Sequence, residues 1–173
     1  MNAKSEMLTV NLALAEALVV TRQKLGNVQL VDWQSGCLEI VAHQGFSAEF
    51  LTTFRRVRSS DGCACGRALF QRRTVLVRDV NEDMRFPALR AVGRQAGFLS
   101  VQSTPLITSS GALLGIISTH GTCSPTDKQL EQIAILAQRT ANELVHQRAS
   151  ARLRSKRLDP YKDIPVSSLA SRT

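Results

Sequence analysis

Apolar residues first recur at helical spacing over residues 5–22. Leu8, Leu12, Ala15 and Val19 form the repeating positions, and Leu14 and Leu18 widen the face. Ser5 is the expected cap, and Gly26 the expected stop. From Asn27 the period changes to two, with Val28 and Leu30 alternating with Gln29, Val31 and Trp33. Gln34-Ser35-Gly36 reads as a turn, and Cys37–His43 as a second strand, with Leu38, Ile40 and Ala42 opposing Glu39 and Val41. This makes a hairpin.

The middle of the chain is less regular. Residues 48–54 and 64–71 read as short helices, 74–80 as a buried β-branched strand, and 88–95 as a further helix stopped by Gly97. Residues 98–107 and 113–119 read as a second hairpin around Ser109-Ser110-Gly111. Ser124-Pro125-Thr126-Asp127 starts a last helix, with Ser124 as the expected cap and Pro125 at the first helical position. Leu130, Ile133, Ala134, Ala137, Ala141, Leu144 and Val145 trace its apolar stripe to about Ala149. The order predicts an α+β fold. Its central antiparallel sheet has five to six strands, the terminal helices cover one face, and short helices and loops cover the other.

At 173 residues and 43% apolar, the chain supports one domain, expected over 1–150 with its flanking helices. Residues 151–173 are expected to be a basic, disordered tail. The net charge of +8 is concentrated late. Residues 1–147 carry 15 basic and 12 acidic side chains, and residues 148–173 carry 7 and 2. Such a run can meet phosphates, but no interleaved aromatics or DNA-binding motif accompany it, so nucleic acid is not the expected partner. No apolar run is long enough to span a membrane and no secretory pattern opens the chain, so a cytoplasmic location is expected.

Five local patterns then occur in order. They are Lys24–Asp32, Ala42-His43-Gln44-Gly45-Phe46, Asp61-Gly62-Cys63-Ala64-Cys65-Gly66-Arg67-Ala68-Leu69, Val77-Arg78-Asp79-Val80, and Val101–Leu106 followed by Gly111 and Leu113–His120. Together they resemble the GAF domain, a PAS-related fold, over roughly residues 5–148. The resembling subgroup stands beside PAS domains and histidine kinases in bacteria. The resemblance therefore implies a sensor or regulatory module of two-component signal transduction. It also implies a homodimer through the terminal helices, with a histidine kinase or response regulator as partner. No kinase ATP-binding motif or phosphoacceptor helix is present in these 173 residues, so kinase catalysis itself is not expected of them.

The resemblance implies a small-molecule pocket between the sheet and the middle segment, lined by Cys65, Gly66, Arg67, Phe86, Gln102, Thr104, Ser118 and His120. Alternation puts Gln102 and Thr104 on one face without saying which. It names no ligand, and the cofactor is unknown. Cys63 and Cys65 are redox candidates, since a helix N-terminus and Arg67 both favour a thiolate. Their spacing on a helix would turn the two side chains apart, and the competing reading is small residues filling a helix–sheet gap. A cysteine-dependent redox enzyme or sensor resembling free methionine-R-sulfoxide reductase is the alternative function, although its cysteine pattern does not map onto Cys37, Cys63, Cys65 and Cys123. The cysteines match no zinc spacing. His43, His120 and His146 come from different elements, so no metal site is expected.

Overall fold

Helix α1 (Ala3–Thr21) carries two apolar stripes. Val10, Ala13, Leu14, Ala17 and Leu18 are buried, whereas Leu8, Leu12 and Val19 are more than 60% exposed. Of the expected apolar face, only Leu14 and Leu18 reach the core, and Leu8, Leu12 and Val19 turn outward. Both stripes have helical spacing, and only the sheet's position separates them. Burying each larger aliphatic side chain contributes roughly 1.5–3 kcal/mol. The helix ends close to the expected boundary, at Arg22 in the left-handed region (φ 56°). There Arg22 N–H donates to Val19 O and Gln23 N–H to Leu18 O, closing a Schellman motif. Gly26 is therefore no stop signal. It lies in β1 (Leu25–Asp32), where a Cβ would press on Leu14 and on the Ser118 carbonyl.

The computed structural model describes residues 3–158. After β1 come β2 (Cys37–Gln44), α2 (Ala48–Thr53), β3 (Arg56–Val57), α3 (Ala64–Gln71), β4 (Val75–Val77), α4 (Ala88–Ala96), β5 (Ser100–Ile107), β6 (Leu113–Gly121) and α5 (Asp127–Leu158). The strands form a single six-stranded sheet in the order β3-β2-β1-β6-β5-β4, antiparallel throughout. The two expected hairpins meet through β1 and β6, with Asn27 opposite Ser118 and Val28 opposite Ile117. Gly115 is needed at that seam, since a Cβ there would overlap the Gln29 carbonyl oxygen.

Two cores flank the sheet. On one face α1 and α5 pack over Val28, Ala42, Leu106, Leu114 and Ile117. On the other, α2 and α3 close over Leu38, Val57, Val77, Val101 and Ile116, with Phe50, Phe54 and Phe98 among them. The expected alternation fails in β2. Ile40 pairs with Gln29 but Ala42 pairs with Val28, so Val41 is an extra residue. This bulge puts Leu38 and Ile40 in one core and Val41 and Ala42 in the other.

The ends of α5 also differ from expectation. Thr126, not Ser124, is its cap. Gln129 N–H donates to Thr126 Oγ1 and Thr126 N–H donates to Gln129 Oε1, a reciprocal capping box. Ser124 instead shares a hydrogen bond with Ser100 Oγ at 3.0 Å. Helix α5 continues to Leu158, so the first eight residues of the expected disordered tail are helical, and the rest of that tail lies outside the described residues. Arg148 Nη2 donates to Glu6 Oε2 at 3.0 Å and ties α5 to the start of α1.

Candidate ligand-binding site

Strand alternation assembles the site. Asn27 and Gln29 on β1, Ser118 and His120 on β6, and Val101 and Ser103 on β5 all project toward α2 and α3. They line a small cavity of about 20 Å3 together with Phe50, Phe54, Cys63, Ala64 and Cys65. That is room for about one water molecule. Asn27, Ser118 and Ser103 form a row across three strands, and the two serine hydroxyls are 2.8 Å apart.

The polar lining is incompletely paired. Asn27 Oδ1, both Gln29 amide atoms and His120 Nδ1 are buried without a hydrogen-bond partner. A buried polar group left so costs about 1–3 kcal/mol. His120 is enclosed by Phe46, Phe50 and Phe98, whose ring centroids lie 5.0, 5.9 and 4.8 Å away. Burial in this cage lowers its pKa from 6.5 to about 3, so the imidazole is neutral near pH 7. None of the lining residues is an aspartate, glutamate, lysine or arginine.

Cys63 and Cys65 meet at the start of α3. Cys63 is the N-cap residue, with extended backbone (φ −66°, ψ 160°), so it stands outside the helical spiral. Its Sγ lies 3.5 Å from that of Cys65. The expectation that the two side chains diverge fails for that reason. The Cys63 thiol is pushed below its ordinary value because Cys65 donates a hydrogen bond to it, with burial opposing. Cys65 is pushed up by the same bond and by burial. Cys37 is buried apart from this pair, at the start of β2, and Cys123 is exposed.

Of the residues expected at a pocket, the fold brings Cys65, Ser118 and His120 together. Gln102 and Thr104 lie on the opposite face, where Gln102 Nε2 donates to Thr104 Oγ1 and Thr119 Oγ1 donates to Gln102 Oε1. Gly66 acts through closeness. A Cβ there would strike the Asp61 and Arg58 carbonyl oxygens, so glycine lets that turn rest on α3. Arg67 faces the 79–86 loop and pairs with Asp83 at 2.7 Å. Phe86 packs against Phe54, 6.3 Å between centroids, behind the cavity wall. Asn27, Gln29 and Ser103 were missed. Their signal was polarity on strands that sit in the middle of a sheet covered on both faces.

A sheet between a terminal helix pair and a closed middle segment matches a known family. The model of the GAF domain fits residues 10–144. The chain belongs to the GAF family. GAF domains serve as sensor and regulatory modules in signalling proteins. Solved structures share the fold. A domain assigned to a two-component sensor histidine kinase protein from Sinorhizobium meliloti 1021 superposes with a TM-score of 0.69 at 16% identity, covering 84% of this chain and 94% of that one. A GAF domain/HD domain protein from Geobacter sulfurreducens gives 0.71 at 16%, covering 85% and 96%. Free methionine-R-sulfoxide reductase from Neisseria meningitidis, solved with its substrate, gives 0.60 at 20%, covering 79% and 78%. No curated protein matches the chain. No helix among the described residues is long and apolar enough to cross a membrane.

Proposed function

We propose that this GAF domain is a cytoplasmic input module of bacterial two-component signalling, and that it binds a small molecule in the cavity between the sheet and α2/α3. The observation that carries this reading is the convergence of Asn27 Oδ1, the Gln29 amide and His120 Nδ1, all unpartnered, on one cavity. A ligand supplying those hydrogen bonds recovers the cost of burying them. With no charged lining residue, the favoured ligand is uncharged. Anything larger than a water molecule requires α2 and the start of α3 to move outward, and this movement is the signal. The ligand then selects the open arrangement, by as much as it binds that arrangement better.

The output surface is the outer stripe of α1 with its neighbour on α5. Leu12, Val19 and Ile135 line an open groove and are exposed, and we assign it to homodimerisation by the two helices. A histidine kinase or response regulator would read the dimer. Native mass spectrometry of freshly purified protein tests both parts. A bound small molecule and a dimer are expected. A monomer without ligand that no uncharged metabolite stabilises in a thermal-shift screen overturns the reading. The cysteine-dependent reductase reading rests on the Cys63–Cys65 contact and predicts free methionine sulfoxide turnover that is lost in Cys63→Ser.

A further inference from the structure

We propose that Cys63 and Cys65 are a modification site: a dithiol in the wall of the cavity that hydrogen peroxide oxidises to an intrachain disulfide. The two sulfurs already touch at 3.5 Å, and the extended backbone of Cys63 permits further approach. Both residues line the cavity, and Cys63 is 3% exposed. Access to the Cys63 sulfur is therefore limited to small oxidants, whereas Cys65 is half-buried and Cys123 exposed. The inference does not need a ligand in the cavity.

The chemistry balances in two steps. The Cys63 thiolate, favoured by the hydrogen bond from Cys65, attacks one peroxide oxygen. A sulfur–oxygen bond forms and the oxygen–oxygen bond breaks. The departing oxygen leaves with the electron pair and becomes water on taking a proton. Cys63 is then a sulfenic acid. The Cys65 sulfur attacks the Cys63 sulfur, the sulfur–oxygen bond breaks, and the hydroxyl leaves as water with the Cys65 proton. Two thiols and one peroxide yield one disulfide and two waters.

Closing the pair ties the cap of α3 to its first turn. Ala64, between them, is itself part of the cavity wall, and Cys63 packs in the same core as Phe50 and Phe54. The disulfide form therefore fixes the local conformation of this part of the wall.

The test uses the full chain, treated with hydrogen peroxide or with the bulky aromatic disulfide 5,5′-dithiobis(2-nitrobenzoate). Remaining thiols are alkylated after unfolding and mapped by mass spectrometry. Hydrogen peroxide is expected to remove two hydrogens and link Cys63 to Cys65, reversibly by dithiothreitol, and to do so equally in Cys37→Ser/Cys123→Ser protein. The bulky reagent is expected to modify Cys123 and to react with Cys63 at least tenfold more slowly. In Cys65→Ser, dimedone added as the peroxide-treated protein is unfolded is expected to trap Cys63 as the sulfenic acid. The proposal is overturned if both thiols stay alkylatable at peroxide doses that oxidise Cys123, or if Cys63 and Cys65 pair only with Cys37 or Cys123. The wild-type map decides the matter even where the serine variant fails to fold.

Discussion

The Arg67 guanidinium donates two hydrogen bonds to the Asp83 carboxylate, the shorter at 2.7 Å, with side chains only 13% and 8% exposed. The pair joins α3, which carries the cavity wall, to the loop between β4 and α4. Removing one partner of a buried ion pair strands the other charge, at a cost of about 3–5 kcal/mol. Arg67→Ala and Asp83→Ala are each expected to lower stability by about 3 kcal/mol in urea denaturation. An Arg67→Met/Asp83→Leu double variant should lose less than either. A loss under about 1 kcal/mol in both single variants would place the pair among ordinary surface contacts.

His120 makes folding sensitive to acid. Its pKa is about 3 in the folded chain against an ordinary 6.5, so the unfolded chain binds the extra proton between those values. Stability from this residue is intact above pH 6.5 and falls as the pH drops toward 3. At pH 5 the loss is about 2 kcal/mol, from roughly 1.4 kcal/mol per pH unit. His120→Phe should remove that component and flatten the difference between pH 7 and pH 5 by the same amount. Equal pH slopes for both proteins would show that the imidazole charges in place.

Gln29 gives a test by sign. Both its amide atoms are buried and unpartnered, so Gln29→Leu is expected to raise stability by about 1–2 kcal/mol while abolishing any ligand-induced thermal shift. A destabilised variant would mean that the amide has partners and that the cavity's polarity is structural.

The outer stripe of α1 separates association from folding. Leu12→Asp and Ile135→Asp change exposed positions and should yield monomers by light scattering with nearly unchanged melting temperature. Deleting residues 1–20 would be uninformative, because it also removes Val10, Leu14 and Leu18 from the core. Dimers persisting in the double variant would reject the helix-pair interface.

The elements were largely legible because each has a local cause. Alternation marked β1 and β2, Gly111 marked the second hairpin, and the polar cluster before Asp127 marked α5. The first core was legible only in part, because α1 offers two stripes of equal periodicity and sequence spacing does not say which faces the sheet. Strand β3, two residues long, carries no period at all. The site was harder still. Choosing between Gln102 and Ser103 needs the sheet's absolute face, which the packing of α1 and α5 on one side and α2 and α3 on the other supplies and the strand itself does not contain. The closeness of Cys63 and Cys65 depended on where α3 begins, and a shift of one residue there reverses the conclusion.

Helix α5 has 32 residues, about 48 Å at 1.5 Å per residue, and fourteen of them follow Leu144. A helix is stiff in torsion, so those fourteen fix an angular phase as well as a reach. Inserting one residue among them turns everything beyond by about 100° around the axis, and four restore nearly the original bearing. The number of residues in that stretch is therefore a specification in its own right, independent of which side chains fill it.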